Sequence, residues 1–553
     1  PNPDEFVGMH IFKANEPILE ILGDALLKES KFVHSYPHCW RTKKPLIYRA
    51  TNQWFISIDD TAQGAKGTLR DTALNAIEGV DFYPKTSKNR LKPMIEGRPD
   101  WCISRQRSWG VPIAFFRMKS TKEVIFDSAV LEHVATLFDM HGADAWYSMS
   151  IEDLLPENSG YNADDLEKID DILDVWFDSG STWNSVIKSG NYDAGEYPAS
   201  LYIEGSDQHR GWFQSSLLLS SAVNEISPYK TLITHGFTVD EKGEKMSKSK
   251  GNVVAPDKVI KEYGSEILRL WVALSDYQSD LKISDGILKQ TAEQYRKIRN
   301  TFRFLLANVD DLEVYVENDA YGELDRWILT KAAKVFASVK SSFDDNDFLR
   351  GFATLNYFIT NELSGIYMDI TKDRLYCEDK NDSVRRATQS AMAHISKAML
   401  GLVAPVLTYT VDEILEYAPA LFKGEMESVF DLVYVEVPKV EASFDDAILI
   451  AAREKFSEAV DKLKKEKLMK STLEVEIAGD MSTFAINDSK DLEDWFVVSA
   501  MKSSSEGEQV ASFEVEGKTF TVHKATASKC PRCWRFTSVS EECACERCAE
   551  VVA

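Results

Sequence analysis

Five of the eight cysteines fall between Cys530 and Cys548. Four of them form two pairs, Cys530-x2-Cys533 and Cys545-x2-Cys548, each with the spacing at which one tight knuckle turns two thiolates toward one ion. Two such pairs suit tetrahedral zinc, and four thiolates close the site, so the metal would be structural. Cys543 is a surplus thiol, but only Cys545 keeps the two-residue spacing to Cys548. A second stretch, "HGFTVDEKGEKMSKSKGN" (235–252), gathers four lysines and three glycines. Gly243 and Gly251 flank "KMSKS" and let the backbone move. Lys245 and Lys248 could then swing over a bound polyphosphate and neutralise charge growing at its α-phosphate. The plainer reading is a solvated charge run.

These residues need elements to place them. Up to about Ala255, short apolar runs alternate with helical patterns, as in an α/β domain. "LYIEG" (201–205) reads as a buried strand, "QSSLLLSSAVNEI" as the helix after it, and "TLITHGF" (231–237) as a second strand. Ligands of open parallel sheets bind beyond the strand carboxyl ends, where both polar clusters fall. From about Asp257 to Pro438 the pattern is helical; Ile328, Ala332, Val335, Val339 and Phe343 make one apolar stripe. Thr410 and Glu413 fit a capping box. Beyond residue 440, a lysine-rich amphipathic helix around Phe456, Val460 and Leu463 leads to "TLEVEIAG", where Leu473, Val475 and Ile477 alternate as in a strand.

At 553 residues the chain is long enough for several domains, and 44% hydrophobic with 27% charged residues reads as a soluble globular protein. The net charge of -24 excludes a surface that attracts nucleic acid everywhere, so any RNA site must be local. No apolar stretch is long enough to span a bilayer, and there is no secretory core. Cys39, Cys102 and Cys377 are scattered singly, which points to a reducing cytoplasm. The chain starts at Pro1, and "PNPDEFVG" reads like the middle of a domain, so a fragment is expected.

"KMSKS" resembles the second signature of class I aminoacyl-tRNA synthetases, and "YIEGSDQHRGWFQSS" (202–216) resembles the adenylate-binding segment of isoleucyl-tRNA synthetases. "DILDVWFDSGSTW" (171–183) and "RPDWCISRQRSWGVP" (98–112) are also similar to that family. The resemblance implies that Lys245 and Lys248 clamp the phosphates of ATP, which arrives with Mg, and that Glu204, Gly205, Asp207 and Gln208 contact the aminoacyl-adenylate. A carboxylate can hold ribose hydroxyls or an ammonium, and Gly205 permits close backbone approach. Asp207 could also simply cap the next helix. Trp176 and Trp212 become candidates for the wall around an isoleucine side chain, although buried tryptophans are commonly plain core. Members of bacterial type end in a similar cysteine module that helps engage tRNA. From Gly517 to Ser540 there is no acidic residue, whereas Lys518, Lys524, Lys529, Arg532 and Arg535 are present with Trp534 and Phe536 between them, a mixture that suits RNA. "SYPHCWRTKKP" (35–45) is similar to a segment that carries a CxxC half-site in some relatives; Thr42 replaces the second thiol, so no metal is expected at Cys39.

The resemblance therefore implies the C-terminal part of an isoleucine–tRNA ligase of multidomain fold. No His-x-Gly-His string, the first class I signature, occurs in the sequence, and most of an editing insertion is missing. The expected divisions are an editing remnant (1–40), the C-terminal half of a Rossmann-like catalytic domain (41–256), a linking helical region (257–305), a helical anticodon-binding domain (306–440), an α/β junction module (441–524) and a zinc module (525–553). The expected partners are L-isoleucine, ATP and isoleucine tRNA, with no membrane and a monomeric state. Rival readings are a tRNA-binding or regulatory protein that kept the fold without catalysis, and a synthetase for another branched amino acid, which residues 202–216 disfavour.

Overall fold

Three parallel strands place the polar clusters: β1 (Asp81–Tyr83), β2 (Ala199–Gly205) and β3 (Tyr229–His235), in the order β1-β3-β2. The computed structural model describes residues 3–39, 41–62, 64–193, 195–486 and 488–553. Its contacts divide the chain into two units, residues 1–58 with 99–175, and residues 59–98 with 176–553. The sheet lies in the second. Leu232 and Ile233 of the central strand are buried, as expected where both faces are covered. β2 is different. It is a strand of apolar residues, yet Leu201 is 42% and Ile203 53% exposed, because β2 is the sheet edge. Helix α1 (Leu69–Glu78) is capped by Thr68, whose hydroxyl accepts from the Asp71 N–H, and α2 (Trp212–Asn224) carries the buried run Phe213 to Ser221.

The first unit is built from short antiparallel pairs, Phe55–Ile56 with Trp101–Cys102, Ser104–Arg105 with Ile172–Leu173, and Phe116–Met118 with Leu166–Lys168. Its core gathers Phe116, Val130, Val134, Trp146 and Leu166, and the Trp146 indole N–H donates to the Ile169 carbonyl.

In the second unit, long helices follow the sheet: α3 (Asp285–Val309), α4 (Glu323–Asp344) and α5 (Ser383–Val403). The α4 stripe packs as its spacing predicts, with Ile328, Ala332 and Val339 buried and Val335 and Phe343 partly so. The capping box at Thr410 does not form. Helix α6 (Thr408–Tyr417) already contains Thr410, which donates to Glu266, while Glu413 pairs with Arg299. Helix α7 (Asp446–Lys465) buries Phe456, Val460 and Leu463 against a four-stranded sheet. That sheet comprises β4 (Val475–Ala478), β5 (Ala500–Lys502), β6 (Gln509–Val515) and β7 (Lys518–Lys524), in the order β5-β4-β7-β6. Glu516 and Gly517 both adopt positive φ, the geometry of a tight two-residue hairpin joining β6 to β7. The alternation expected along β4 is absent: Glu476 is buried as well, held by Lys502 Nζ at 2.7 Å and by the Ser505 hydroxyl.

Ion pairs join these parts. Arg374, 2% exposed, sits on the short helix Lys372–Cys377 and donates to Asp494 at 2.7 Å and to Asp491, both on α8 (Ser489–Phe496). Asp494 also accepts from Arg535, and Asp373 accepts a bidentate pair from Arg547 at 2.6 and 3.0 Å. Burial alone raises the Asp373 carboxyl, but the Arg547 hydrogen bond and the charges of Lys490, Arg535 and Arg547 outweigh it and hold it well below the usual range.

Arg374→Ala is expected to destabilise the chain by about 3–5 kcal/mol in urea unfolding, because it leaves the buried Asp491 carboxylate unpaired and takes one of two arginines from Asp494. Lys340→Ala breaks an exposed pair with Asp344 and should cost no more than about 0.5 kcal/mol. The depressed folded value of Asp373 means its contribution is present above the unfolded carboxylate value and lost in acid. The stability gap between the parent and Arg547→Ala should therefore narrow as pH falls below about 4.

Candidate functional site

β2 and β3 pair in register so that Gly205 lies opposite His235. The two polar clusters thus start from neighbouring strand ends of one parallel sheet, the position from which such sheets bind ligands. Glu204 is exposed there, its carboxylate accepting weakly from the Gly205 N–H at 3.4 Å. The chain then makes one tight turn, Ser206–Arg210, before α2. The helix-capping role open to Asp207 falls to its neighbour. The Gln208 side-chain oxygen accepts from the Trp212 N–H at 3.1 Å, while its amide nitrogen donates to Asp207 at 3.2 Å. Asp207 stays exposed, with its carboxylate oriented by that bond. His209 is buried, and Nδ1–H donates to the Ser206 carbonyl at 2.8 Å; burial lowers its pKa and favours the neutral ring.

The tryptophans separate. Trp212 stacks on Tyr202 with centroids 4.0 Å apart and donates its indole N–H to the Ser179 carbonyl at 2.9 Å, so its ring is held in place by the protein's own packing. Trp176 is 40% exposed and lies against Gly211, where an added Cβ would approach its ring to 2.9 Å. Gly211, absent from the candidate residues read from sequence, is what lets Trp176 lie there; the signal was a glycine between a polar cluster and a helix start. Gly236 was also missed. Its neighbourhood is filled by the backbone of Ser279 and Asp280, because the chain after β3 turns to run beside Leu281–Lys282.

The lysine loop follows. Lys245 and Lys248 are exposed, and among the described residues neither joins an ion pair, whereas Lys250 pairs with Glu244 at 3.2 Å. Gly243 and Gly251 both take positive φ, +82° and +69°, which glycine adopts freely. The Met246 side chain packs on the apolar cluster of Val259, Ile267, Trp271 and Leu288.

The thiols of Cys530, Cys533, Cys545 and Cys548 lie within 4.8 Å of one another and all four residues are buried. A donor set of four converging thiols could hold one zinc ion in tetrahedral geometry. Burial opposes ionisation of Cys530, but backbone N–H groups of Cys545, Cys533 and Arg532 outweigh it and lower its pKa to about 6. Cys543 is exposed and outside the group. The basic residues around the thiols are not the free surface that their sequence suggested. Arg535 is buried against Asp494, Arg532 donates to the Cys377 carbonyl, Lys518 pairs with Asp480 and Lys524 with Glu508. Lys529 instead lies over the ring of Trp534, 5.7 Å from its centroid. Trp534 is 62% exposed at a positive φ of 65°, unusual for so bulky a residue.

Residues 19–284 match the family model described as tRNA synthetases class I (I, L, M and V), and residues 325–478 match the anticodon-binding domain of tRNA ligase. The chain is 79% identical over 552 residues to the isoleucine–tRNA ligase of Sulfurovum sp. (strain NBC37-1), a match that covers 100% of this chain and 60% of that protein. It is 59% identical over 550 residues to the isoleucine–tRNA ligase of a Nitratiruptor species, with the same coverage of 100% and 60%. It thus spans 60% of the length of these curated relatives. Among solved structures, Mycobacterium tuberculosis methionyl-tRNA synthetase bound by methionyl-adenylate matches with a TM-score of 0.50 at 17% identity, covering 74% of this chain and 71% of that one, a likeness of fold. Among the described residues, no helix is long and apolar enough to cross a membrane.

Gly236→Ala drives a Cβ into the Ser279 carbonyl oxygen, a backbone atom that cannot swing away. It should destabilise the chain by about 1–3 kcal/mol, as overpacking does, read as a lower urea midpoint. A midpoint equal to the parent's would contradict the close approach.

Proposed function

We propose, from the match of residues 19–284 to the class I tRNA synthetase model and the likeness to isoleucine–tRNA ligases, that this chain is the adenylate-clamping and tRNA-binding portion of an isoleucine–tRNA ligase. The observation that carries this reading is the register of β2 and β3, which starts the Glu204–Gln208 cluster and the lysine loop from adjacent strand ends. In the reaction the carboxylate of L-isoleucine attacks the α-phosphate of Mg-bound ATP, pyrophosphate leaves, and the acyl group then passes to the terminal ribose of isoleucine tRNA. Lys245 and Lys248 neutralise charge that grows on the α-phosphate and on the departing pyrophosphate, an electrostatic contribution of several kcal/mol in a water-poor site. Glu204, Gly205, Asp207 and Gln208 hold the adenylate, with Lys248, Gly205 and Asp207 nearest the nucleotide. Trp176, partly open and braced by Gly211, forms the apolar wall for the isoleucine side chain, and Trp212 backs it. One methylene in such a pocket is worth only about 1–3 kcal/mol, a limit for which this enzyme family is itself the standard illustration.

On its own the chain is expected to be inactive. Charge at the α-phosphate must be met from two sides, and β2 offers an open edge with apolar Leu201 and Ile203 exposed. A further polypeptide segment pairing there would close the site from its other side and cover an edge otherwise prone to association. The helical region carries tRNA binding, with Trp534 as a stacking surface on the cysteine module, and zinc fixes that module. We read the protein as a cytoplasmic monomer.

Isoleucine-dependent pyrophosphate exchange tests the reading. The chain alone should show none, and adding the polypeptide that completes a relative's catalytic domain should restore it. In the restored pair Lys248→Ala should lower the rate by about 10²–10³, the usual effect of removing one preorganised donor. Exchange that never appears in the pair would favour a tRNA-binding protein without catalysis.

The chain should also bind about one zinc, the stoichiometry of one four-thiolate site. Cys530→Ser should lose most of it by elemental analysis, and Cys543→Ser should keep it. Equal zinc in the parent and Cys530→Ser would remove the site from these residues.

A further inference from the structure

The lysine loop is held by a polar staple that no lysine side chain takes part in. Asn252, just past the loop, accepts from the Ser247 N–H through Oδ1 at 2.9 Å. Its Nδ2 donates to the Asp240 carboxylate at 2.8 Å and to the Lys245 carbonyl at 3.3 Å. Asp240, just before the loop, uses its other oxygen to accept from the N–H groups of Lys242 at 3.0 Å and Glu244 at 2.7 Å. One side-chain pair thus fixes backbone groups at 242, 244, 245 and 247, on both sides of Lys245 and next to Lys248. Met246 anchors the same segment from beneath: its side chain packs on the apolar cluster and its sulfur accepts from the Val254 N–H at 3.5 Å.

We propose that Asp240 and Asn252 are positioning residues that set where Lys245 and Lys248 can reach, an inference that rests on the phosphate-clamp reading of this loop. The chemistry requires one carboxylate and one carboxamide. Asp240 only accepts, so position 252 must donate to it while also accepting from Ser247, and an amide does both. A carboxylate at 252 would face Asp240 with a like charge, and an alanine would remove the link between the two ends of the loop. The two side chains are interchangeable for every bond but the long 3.3 Å one to the Lys245 carbonyl: asparagine at 240 can still accept from two N–H groups and donate across to aspartate at 252, which still accepts from Ser247.

That interchange is the test. In the 553-residue chain, trypsin cleavage after Lys242, Lys245, Lys248 and Lys250, followed by mass spectrometry, reads loop opening without any need for activity. Asn252→Ala and Asn252→Asp should each accelerate cleavage at least tenfold, and the double exchange Asp240→Asn with Asn252→Asp should return it to within threefold of the parent, all with unchanged melting temperature. Cleavage at the parental rate in the single variants, or a double variant no slower than the singles, would overturn the staple. In the pair restored for pyrophosphate exchange, Asn252→Ala should raise the KM for ATP about tenfold and leave the KM for isoleucine unchanged, and the double exchange should recover it. Fast cleavage with an unaltered KM for ATP would leave the staple standing but remove its role in the clamp. A restored pair that shows no exchange would count against the function reading alone, since the cleavage result is independent of it.

Discussion

A guanidinium with almost no access to water organises the C-terminal half of the chain. Arg374 cannot stay buried without partners, and both of them, Asp491 and Asp494, lie on α8. Asp494 is shared with Arg535 of the cysteine module, and Asp373, the neighbour of Arg374, takes Arg547 from the same module. Two adjacent side chains on one short helix therefore fix the approach of both the small sheet and the thiol cluster. Buried pairs of this sort add little net stability over apolar packing, but breaking one partner is expensive, so misdocked arrangements are penalised. Apolar packing then fills in around the fixed geometry: Trp495, next to Asp494, meets Trp327 of α4 edge to face at 5.0 Å.

The parallel sheet works under a different constraint, which is space. Its strand ends are crowded by the close approaches at Gly205, Gly211 and Gly236, where an added Cβ would meet Asp207, Trp176 and Ser279 respectively. Small residues at these points let polar backbone and flat rings converge. The same sheet ends abruptly at β2, whose sequence is that of a strand covered on both faces.

Much of this is legible in the sequence alone. Periodicity places the α4 stripe and α7, because one apolar face suffices to define a helix that packs on a single side. Thiol spacing singles out Cys545 over Cys543, since a knuckle allows only one separation. The multidomain class, with a Rossmann-like part, a helical anticodon domain and a C-terminal sheet module bearing four cysteines, follows from motifs and agrees with the matched families. What fails are inferences that depend on distant partners. Thr410 and Glu413 have the spacing of a capping box, but Glu266 and Arg299, more than a hundred positions away, claim them instead. β4 loses its alternation because Lys502 and Ser505 satisfy Glu476. The short strand pairs of the first unit carry too few residues for a period to show.

The two basic segments make the same point from opposite sides. Around the thiols, a run without acidic residues suggests a free cationic surface, yet most of its charge is spent on Asp494, Asp480, Glu508 and a backbone carbonyl. In the lysine loop, acids lie among the lysines, and local neutralisation would be the natural expectation. The fold gives those acids to groups other than Lys245 and Lys248: Asp240 to Asn252 and two backbone N–H groups, Glu244 to Lys250. Lys245 and Lys248 are left charged and exposed, without an ion-pair partner among the described residues, on a segment whose backbone is pinned. Charge that a fold holds in place and leaves uncompensated, in a chain of net charge -24, is charge available to an anionic ligand.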